Sequence, residues 1–126
     1  MLEERDVDQS DVDEIFAGLG AVTIKRLFSG KGIYHRGVIV GAIMGGEMLL
    51  KADAETEPQF VAAGSTQWTY EFKRGKTVRM PYWTIPAEAM DDPELLVTWV
   101  RLAFAAASRT AAKERRNKDD PQERGA

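Results

Sequence analysis

The feature that most constrains the fold is the segment from Ala21 to Asp53, in which short strand-like runs are separated by glycine. The runs are rich in β-branched and aromatic residues, as strands with a buried face are. Arg36-Gly37 and Gly45-Gly46 separate consecutive runs at hairpin distance, where glycine supplies the positive φ of a tight turn. The segment therefore predicts four strands of an antiparallel meander. Their sequences are VTIKRLF, GIYHR, VIVGAIM and EMLLKAD.

Two glycines around a lysine, in RLFSGKGIY, raise the question of a phosphate-binding loop. A P-loop requires Gly-x-x-x-x-Gly-Lys-Ser/Thr between a strand and a helix. Lys25 stands here at the first glycine position and Gly32 at the Ser/Thr position, and a strand pattern follows. Because no helix N-terminus would face an anion, we interpret Gly30 and Gly32 as turn residues between the first two strands.

A second hairpin is predicted after the meander. Residues 55–64 read as a short inserted helix that ends at Gly64. Trp68, Tyr70 and Phe72 then alternate with polar residues, Arg74-Gly75 makes the turn, and a last strand runs from Thr77 to Trp83. Pro81 cannot donate to a strand ladder, which predicts an edge or a bulge at that position.

Helices are predicted at both ends of the domain. Ser10 precedes an apolar i, i+3, i+4, i+7 pattern that ends at Gly20, so we expect it to cap an N-terminal helix. Asp92 and Pro93 predict the start of a long helix that packs across the sheet to about Arg116. The apolar stripe of this helix comprises Leu96, Trp99, Val100, Ala103 and Ala107.

The composition narrows the class of protein. The chain has 126 residues and 44% hydrophobic content, enough for one domain with a core. It has no cysteine and one histidine, which removes disulfides, thiol chemistry and most zinc sites. No apolar run approaches a membrane span and the first residues are acidic, so we expect a soluble, cytoplasmic protein. The expected organisation is an acidic lead (1–10), a single domain (11–116) and a disordered polar tail (117–126).

Several segments together resemble the N-terminal domain of the TfoX/Sxy competence regulators. The resemblance runs from about Val12 to Ala107 and is specific in its combination of features. First-hairpin residues Phe28 and Gly30 are in place, although the commonest family form is Met-Phe-Gly-Gly where this chain has Leu-Phe-Ser-Gly. The segments that carry the resemblance are LFSGKGIYHRG, LLKAD, FVAAGSTQWTYEFK, VRMPYWTIP and DDPELLVTWVRLAFAAA.

The resemblance implies an α+β domain with a curved antiparallel sheet of about six strands, similar to secretion-chaperone-like folds. It implies a regulatory role in competence, as an accessory to a transcription factor. Family regulators carry a second, C-terminal domain, and this chain resembles a stand-alone copy of the first. Chaperone-like folds commonly pair, and an aromatic edge strand that carries Pro81 would leave surface to cover, so we predict a homodimer, whose interface the sequence does not identify.

The sequence offers no catalytic, cofactor-binding or metal-binding residues, and we predict that the protein is not an enzyme. His35 has no histidine or cysteine partner and is interpreted as a solvated turn residue. Asp91 and Asp92 stand before Pro93, where helix capping explains them better than acid-base catalysis. The serines lack a nucleophile elbow. An interaction module needs none of these residues.

Two sets of residues are candidates for contacts. Tyr82 and Trp83 must point to opposite faces of the sheet, so one belongs to the core and the other, with Trp68, is a candidate for contact with a protein partner. The alternative is that the last helix covers the second ring. A second set of basic residues predicts at most weak, nonspecific nucleic-acid binding. It comprises Lys73, Arg74, Lys76, Arg109, Lys113 and Arg116. The sequence leaves open a small-ligand role.

Overall fold

A computed structural model describes residues 8–27, 29–71 and 75–119, which form four helices and six strands. The strands are β1 (Thr23–Leu27), β2 (Gly30–His35), β3 (Val38–Met44), β4 (Glu47–Lys51), β5 (Gln67–Glu71) and β6 (Thr77–Thr84). The helices are α1 (Gln9–Ile15), α2 (Glu57–Ala62), α3 (Ala87–Met90) and α4 (Pro93–Asp119). The predicted α+β class is confirmed, with the helices before, within and after the strands.

The six strands form one sheet in the order β1-β2-β3-β4-β6-β5, and every neighbouring pair is antiparallel. The meander β1 to β4 is confirmed. The second hairpin then folds back so that β6 lies between β4 and β5. Pro81 is therefore on an interior strand, and our placement of it on an edge strand was wrong. The predicted alternative, a bulge, is correct, because the β5–β6 register shifts between Gln67 and Thr69, opposite Pro81.

Glycines in the sheet have two different roles. At the predicted turns, Arg36 has φ 52° and Gly37 φ 82°, and Gly45 and Gly46 also have positive φ. Gly30 and Gly32, by contrast, lie inside β2, so our interpretation of them as turn residues was wrong. A Cβ on Gly32 would stand 2.9 Å from the Tyr34 ring, and one on Gly30 would meet the backbone oxygen of Ile43.

The helices differ from the predicted ones in one N-cap, in one additional short helix and in the length of the last helix. Asp8, and not Ser10, caps α1: its carboxylate accepts from the amide of Asp11, whose own carboxylate accepts from the amide of Asp8. Asp92 caps α4 as predicted and accepts from the amides of Glu94 and Leu95. The short helix α3 was not predicted. Helix α4 continues to Asp119, so residues 117–119 are helical where we predicted a disordered tail.

The main core lies between the sheet and the helices, all four of which contribute buried side chains to it. Phe60 of α2 is fully buried between two tryptophans. Its ring centroid is 5.9 Å from that of Trp83 on β6 and 4.8 Å from that of Trp99 on α4. Ala103 and Ala107 of α4 are also buried, which allows the helix to approach the sheet closely. Within the described residues, no helix is long and apolar enough to cross a membrane.

The opposite face of the sheet, which we call the outer face, carries a second apolar cluster. It comprises Ala42, Met44, Leu49 and Tyr82, with Leu27, Ile39, Trp68 and Met80 packed around them. This cluster contains no helical residue of the described chain. The β2–β3 register shifts at Ile33 and Tyr34, which moves Val40 and Ala42 to opposite faces although they are two residues apart.

Candidate functional site

The structure separates the three aromatic residues predicted to contact a partner. Tyr82 and Trp83 do point to opposite faces, but both are buried, at 5% and 7% exposure. The outer-face ring of Tyr82 belongs to an apolar cluster that contains no residue of the last helix. Trp68 is half-buried and retains accessible surface. The partner-contact hypothesis therefore depends on Trp68 and on its neighbours along the outer face.

Trp68 belongs to an apolar stripe that becomes more exposed along β5 towards the connection to β6. Tyr70 on β5 is 44% exposed, and its register partner Val78 on β6 is 39% exposed. We call Trp68, Tyr70 and Val78 the β5 surface. An open groove of about 470 Å³ adjoins it, lined by Glu47, Thr66, Gln67, Trp68, Thr69 and Thr84. Aromatic and aliphatic side chains beside a polar groove are typical of a protein-contact surface.

A partly exposed ion pair connects the end of β4 to α4. The guanidinium of Arg109 donates to both carboxylate oxygens of Asp53, at 2.7 and 3.1 Å, and its Nε is 3.3 Å from Glu55. Asp53 also accepts from the amides of Glu55 and Thr56. The hydrogen bond from Arg109 is the largest cause that lowers the pKa of Asp53, with smaller contributions from the Thr56 and Glu55 amides, while burial opposes them. Asp53 therefore fixes both the turn into α2 and the position of α4.

This pairing weakens the prediction that the basic residues of α4 contact nucleic acid. Arg109, Lys113 and Arg116 do line one open groove of about 620 Å³, but Asp53, Glu55 and Glu114 line it too. Because two carboxylates neutralise Arg109, it is not available for a phosphate backbone. Lys76 is exposed in the connection between β5 and β6. Lys73 and Arg74 lie outside the described residues, so the hairpin part of the nucleic-acid hypothesis stays a prediction.

Asp53→Asn is expected to lower the free energy of unfolding by about 2 kcal/mol, because the charge-assisted, bidentate bond is lost and an amide NH2 faces the guanidinium. Urea denaturation at pH 7 measures the change. The matched control is Glu55→Gln, which removes the exposed carboxylate on the same guanidinium and should change stability by less than about 0.5 kcal/mol. Equal effects of the two substitutions would contradict a special role for Asp53.

The pH dependence of stability follows from the direction in which the pKa of Asp53 is shifted. Arg109 lowers the pKa of Asp53 below the ordinary value of 3.8, so the ionised form is favoured in the folded state. The stabilisation is therefore present above the ordinary pKa and is lost as the pH falls through the folded value. We expect the stability difference between wild type and Asp53→Asn to be constant near neutrality and to narrow in acid.

His35 is not the solvated turn residue that we predicted. It is 7% exposed, its Nδ1 lies 2.8 Å from the carbonyl oxygen of Ala21, and its ring meets Phe104 edge-on at 5.0 Å. It therefore packs the end of β2 against α4. The described residues contain no group of three or more His, Cys, Asp or Glu side chains that could hold a metal ion.

Sequence reasoning missed a polar group on the outer face, at the end of β4. Lys51 is 7% exposed and its Nζ lies 5.2 Å from the ring centroid of Tyr82, its register partner. Burial raises the pKa of Tyr82 to about 12, with smaller contributions from Tyr34 and Glu114. The signal in the sequence was a lysine at an apolar strand end, Leu49-Leu50-Lys51, where alternation places it on the face of Leu49.

The fold defines a class: an α+β domain with an open six-stranded antiparallel sheet, one face covered by helices and the other carrying its own apolar cluster. The chain belongs to the TfoX N-terminal domain family, whose model matches residues 14–107, from α1 to the middle of α4. The expected family is thereby confirmed. No curated protein matched the sequence.

Proposed function

We propose that this domain is a non-enzymatic regulatory module that acts by binding another protein. Membership of the TfoX N-terminal domain family suggests a competence-related regulatory role, with a transcription factor as the partner and the cytoplasm as the compartment. The observation that carries the proposal is the β5 surface, where Tyr70 and Val78 expose large apolar area beside a half-buried tryptophan. Such surfaces gain binding energy by burial and require no reactive group.

The mixed charge around Arg109 argues against nucleic acid as the principal partner. Lys113 and Arg116 are the exposed cations that remain in that groove, and Glu114 lies among them. A net charge of -3 adds long-range repulsion from a phosphate backbone. Protein contact is therefore the better-supported mode.

Affinity capture from native lysate tests the partner hypothesis when it is done with three baits. Wild type should retain a transcription factor, identified by mass spectrometry, and should keep it after nuclease treatment. Val78→Glu should lose that protein, since a charge would enter the β5 surface. The control Val61→Glu changes a 62% exposed valine on α2 and should behave as wild type. Retention by Val78→Glu, or loss on nuclease treatment, would contradict the proposal.

We also propose a homodimer, which forms through the edge strand β5. An edge strand leaves backbone hydrogen-bonding groups unpaired, and the antiparallel pairing of two β5 edges would continue the sheet. Light scattering at high micromolar concentration should give twice the chain mass of 14.0 kDa. Tyr70→Lys should shift the mass to that of one chain, because lysine on an edge strand opposes pairing. A wild-type mass of 14.0 kDa would refute the dimer.

A further inference from the structure

Lys51 is a buried cation without a partner among the residues that the structure describes. Its side chain lies on the outer face at 7% exposure, and its Nζ makes no hydrogen bond or ion pair with any of these residues. The ring of Tyr82, 5.2 Å away, is its one close electrostatic contact there. Buried ammonium groups are normally paired, since removal from water is costly without an acceptor. The Nζ of Lys51 is not among the fully buried polar atoms without a partner, so it keeps contact with solvent, and a ligand can reach its N–H donors from there.

The carboxylates near Lys51 do not occupy those donors. Burial is the largest effect on its pKa and lowers it, while the charges of Glu114 and Asp53 act in the opposite direction without forming an ion pair. Asp53 is already held by Arg109. Glu114 is exposed on α4. A ligand that brings its own negative charge would thus gain an interaction that the protein does not provide.

Three further polar side chains lie on the same face. Tyr34 of β2 packs over Gly32, because a Cβ on Gly32 would stand 3.2 Å from the Tyr34 hydroxyl. Lys25 of β1, the register partner of Gly32, places its Nζ 5.2 Å from the Tyr34 ring centroid. Tyr34 also contributes to the raised pKa of Tyr82, and its register partner Ile39 packs against the same outer-face cluster as Tyr82. Four strands thus contribute two lysines and two tyrosines to one face.

We infer that Lys51 binds a small oxyanion, a carboxylate or phosphate group, on the outer face of the sheet, with Tyr34 and Tyr82 beside it. An ammonium group with phenol neighbours offers N–H and O–H donors, which matches the acceptor oxygens of such an anion. A metal cation would be repelled by the lysine. The inference concerns the outer face at the end of β4 and does not depend on partner binding at the β5 surface.

The experiment follows the Lys51 side chain directly by NMR of its Cε and Hε nuclei. Inorganic phosphate and sodium acetate are titrated separately at constant ionic strength, and the pH titration of Lys51 is recorded with and without each anion. We expect a saturable shift of Lys51 and a rise in its pKa with bound anion, because binding favours the charged amine. Lys31, exposed on β2, should show no saturable shift. Saturation by phosphate alone identifies a phosphate site, and saturation by both identifies general oxyanion recognition.

Three variants sharpen the test. Lys51→Met should abolish anion-dependent shifts of the Tyr34 and Tyr82 ring signals, and Lys31→Met should leave them unchanged. Glu114→Gln should tighten binding on the order of threefold, because a charge that repels the anion is removed. Equal responses of Lys31 and Lys51 in wild type, or saturable ring shifts that survive Lys51→Met, would overturn the inference. The wild-type lysine signals decide the question even if Lys51→Met fails to fold.

Discussion

Phe60→Ala is expected to lower the free energy of unfolding by about 3–5 kcal/mol. Phe60 is fully buried and its ring lies between Trp83 and Trp99, so its loss leaves a cavity between the inserted helix, the sheet and α4. Two large indoles cannot move into that space without breaking their own packing. A loss of this size is a large part of the stability of an ordinary domain.

Chemical denaturation measures the free energy of unfolding of Phe60→Ala and of Val61→Ala, two truncations in the same helix. Val61 is the next residue, also an apolar side chain, but it is 62% exposed. Its truncation should change stability by less than about 0.5 kcal/mol. A cost below about 1 kcal/mol for Phe60→Ala would show that α2 is not anchored by this ring and that the two tryptophans form the core without it.

Local features of the fold could be predicted because they depend on neighbours in sequence. Arg36-Gly37 and Gly45-Gly46 are two-residue connections with positive φ, so the meander strands and their turns follow from the pattern itself. Asp92 stands immediately before Pro93, and its carboxylate caps α4 as its position predicts. In each case the partners are no more than a few residues apart.

Long-range features could not be predicted in this way. Asp53 and Arg109 are 56 residues apart, and nothing in either segment indicates that they form a bidentate pair. The interior position of β6 depends on how the second hairpin docks against β4. Pro81 fits on this interior strand because the β5–β6 register shifts beside it. The sequence alone is compatible with either an edge strand or a bulge at Pro81, so it could not decide between them.

The candidate site was the least predictable part, because it depends on which face of the sheet the helices leave uncovered. Alternation places Tyr82 and Trp83 on opposite faces, but it does not reveal that the outer face buries its own cluster. Lys51 becomes unusual only when the packed sheet leaves its side chain 7% exposed. Hydrophobic pattern gives the direction of each side chain, whereas burial and charge environment require the packed sheet.

Gly41→Ala is expected to cost about 3 kcal/mol, more than a typical substitution of one small residue by another. Gly41 lies in the middle of β3 and does not have a positive φ. A Cβ there would meet the backbone oxygen of Leu49 and would stand 3.2 Å from the Phe16 ring. A backbone oxygen in the neighbouring strand cannot change rotamer, so strands β3 and β4 would have to separate locally.

Gly46→Ala is the control, because Gly46 is needed for a positive φ in a turn and not for close strand approach. Gly46 has φ 81° in the β3–β4 turn, and a Cβ there would have no atom within 4 Å. The cost is then the conformational strain alone, about 1 kcal/mol. Thermal and urea unfolding of both variants should place Gly41→Ala well below Gly46→Ala in stability. The reverse order would mean that this sheet needs glycine for the conformation of its turns and not for the close approach of its strands. The close contacts at Gly30 and Gly32 of β2 would then not explain why those positions are glycine.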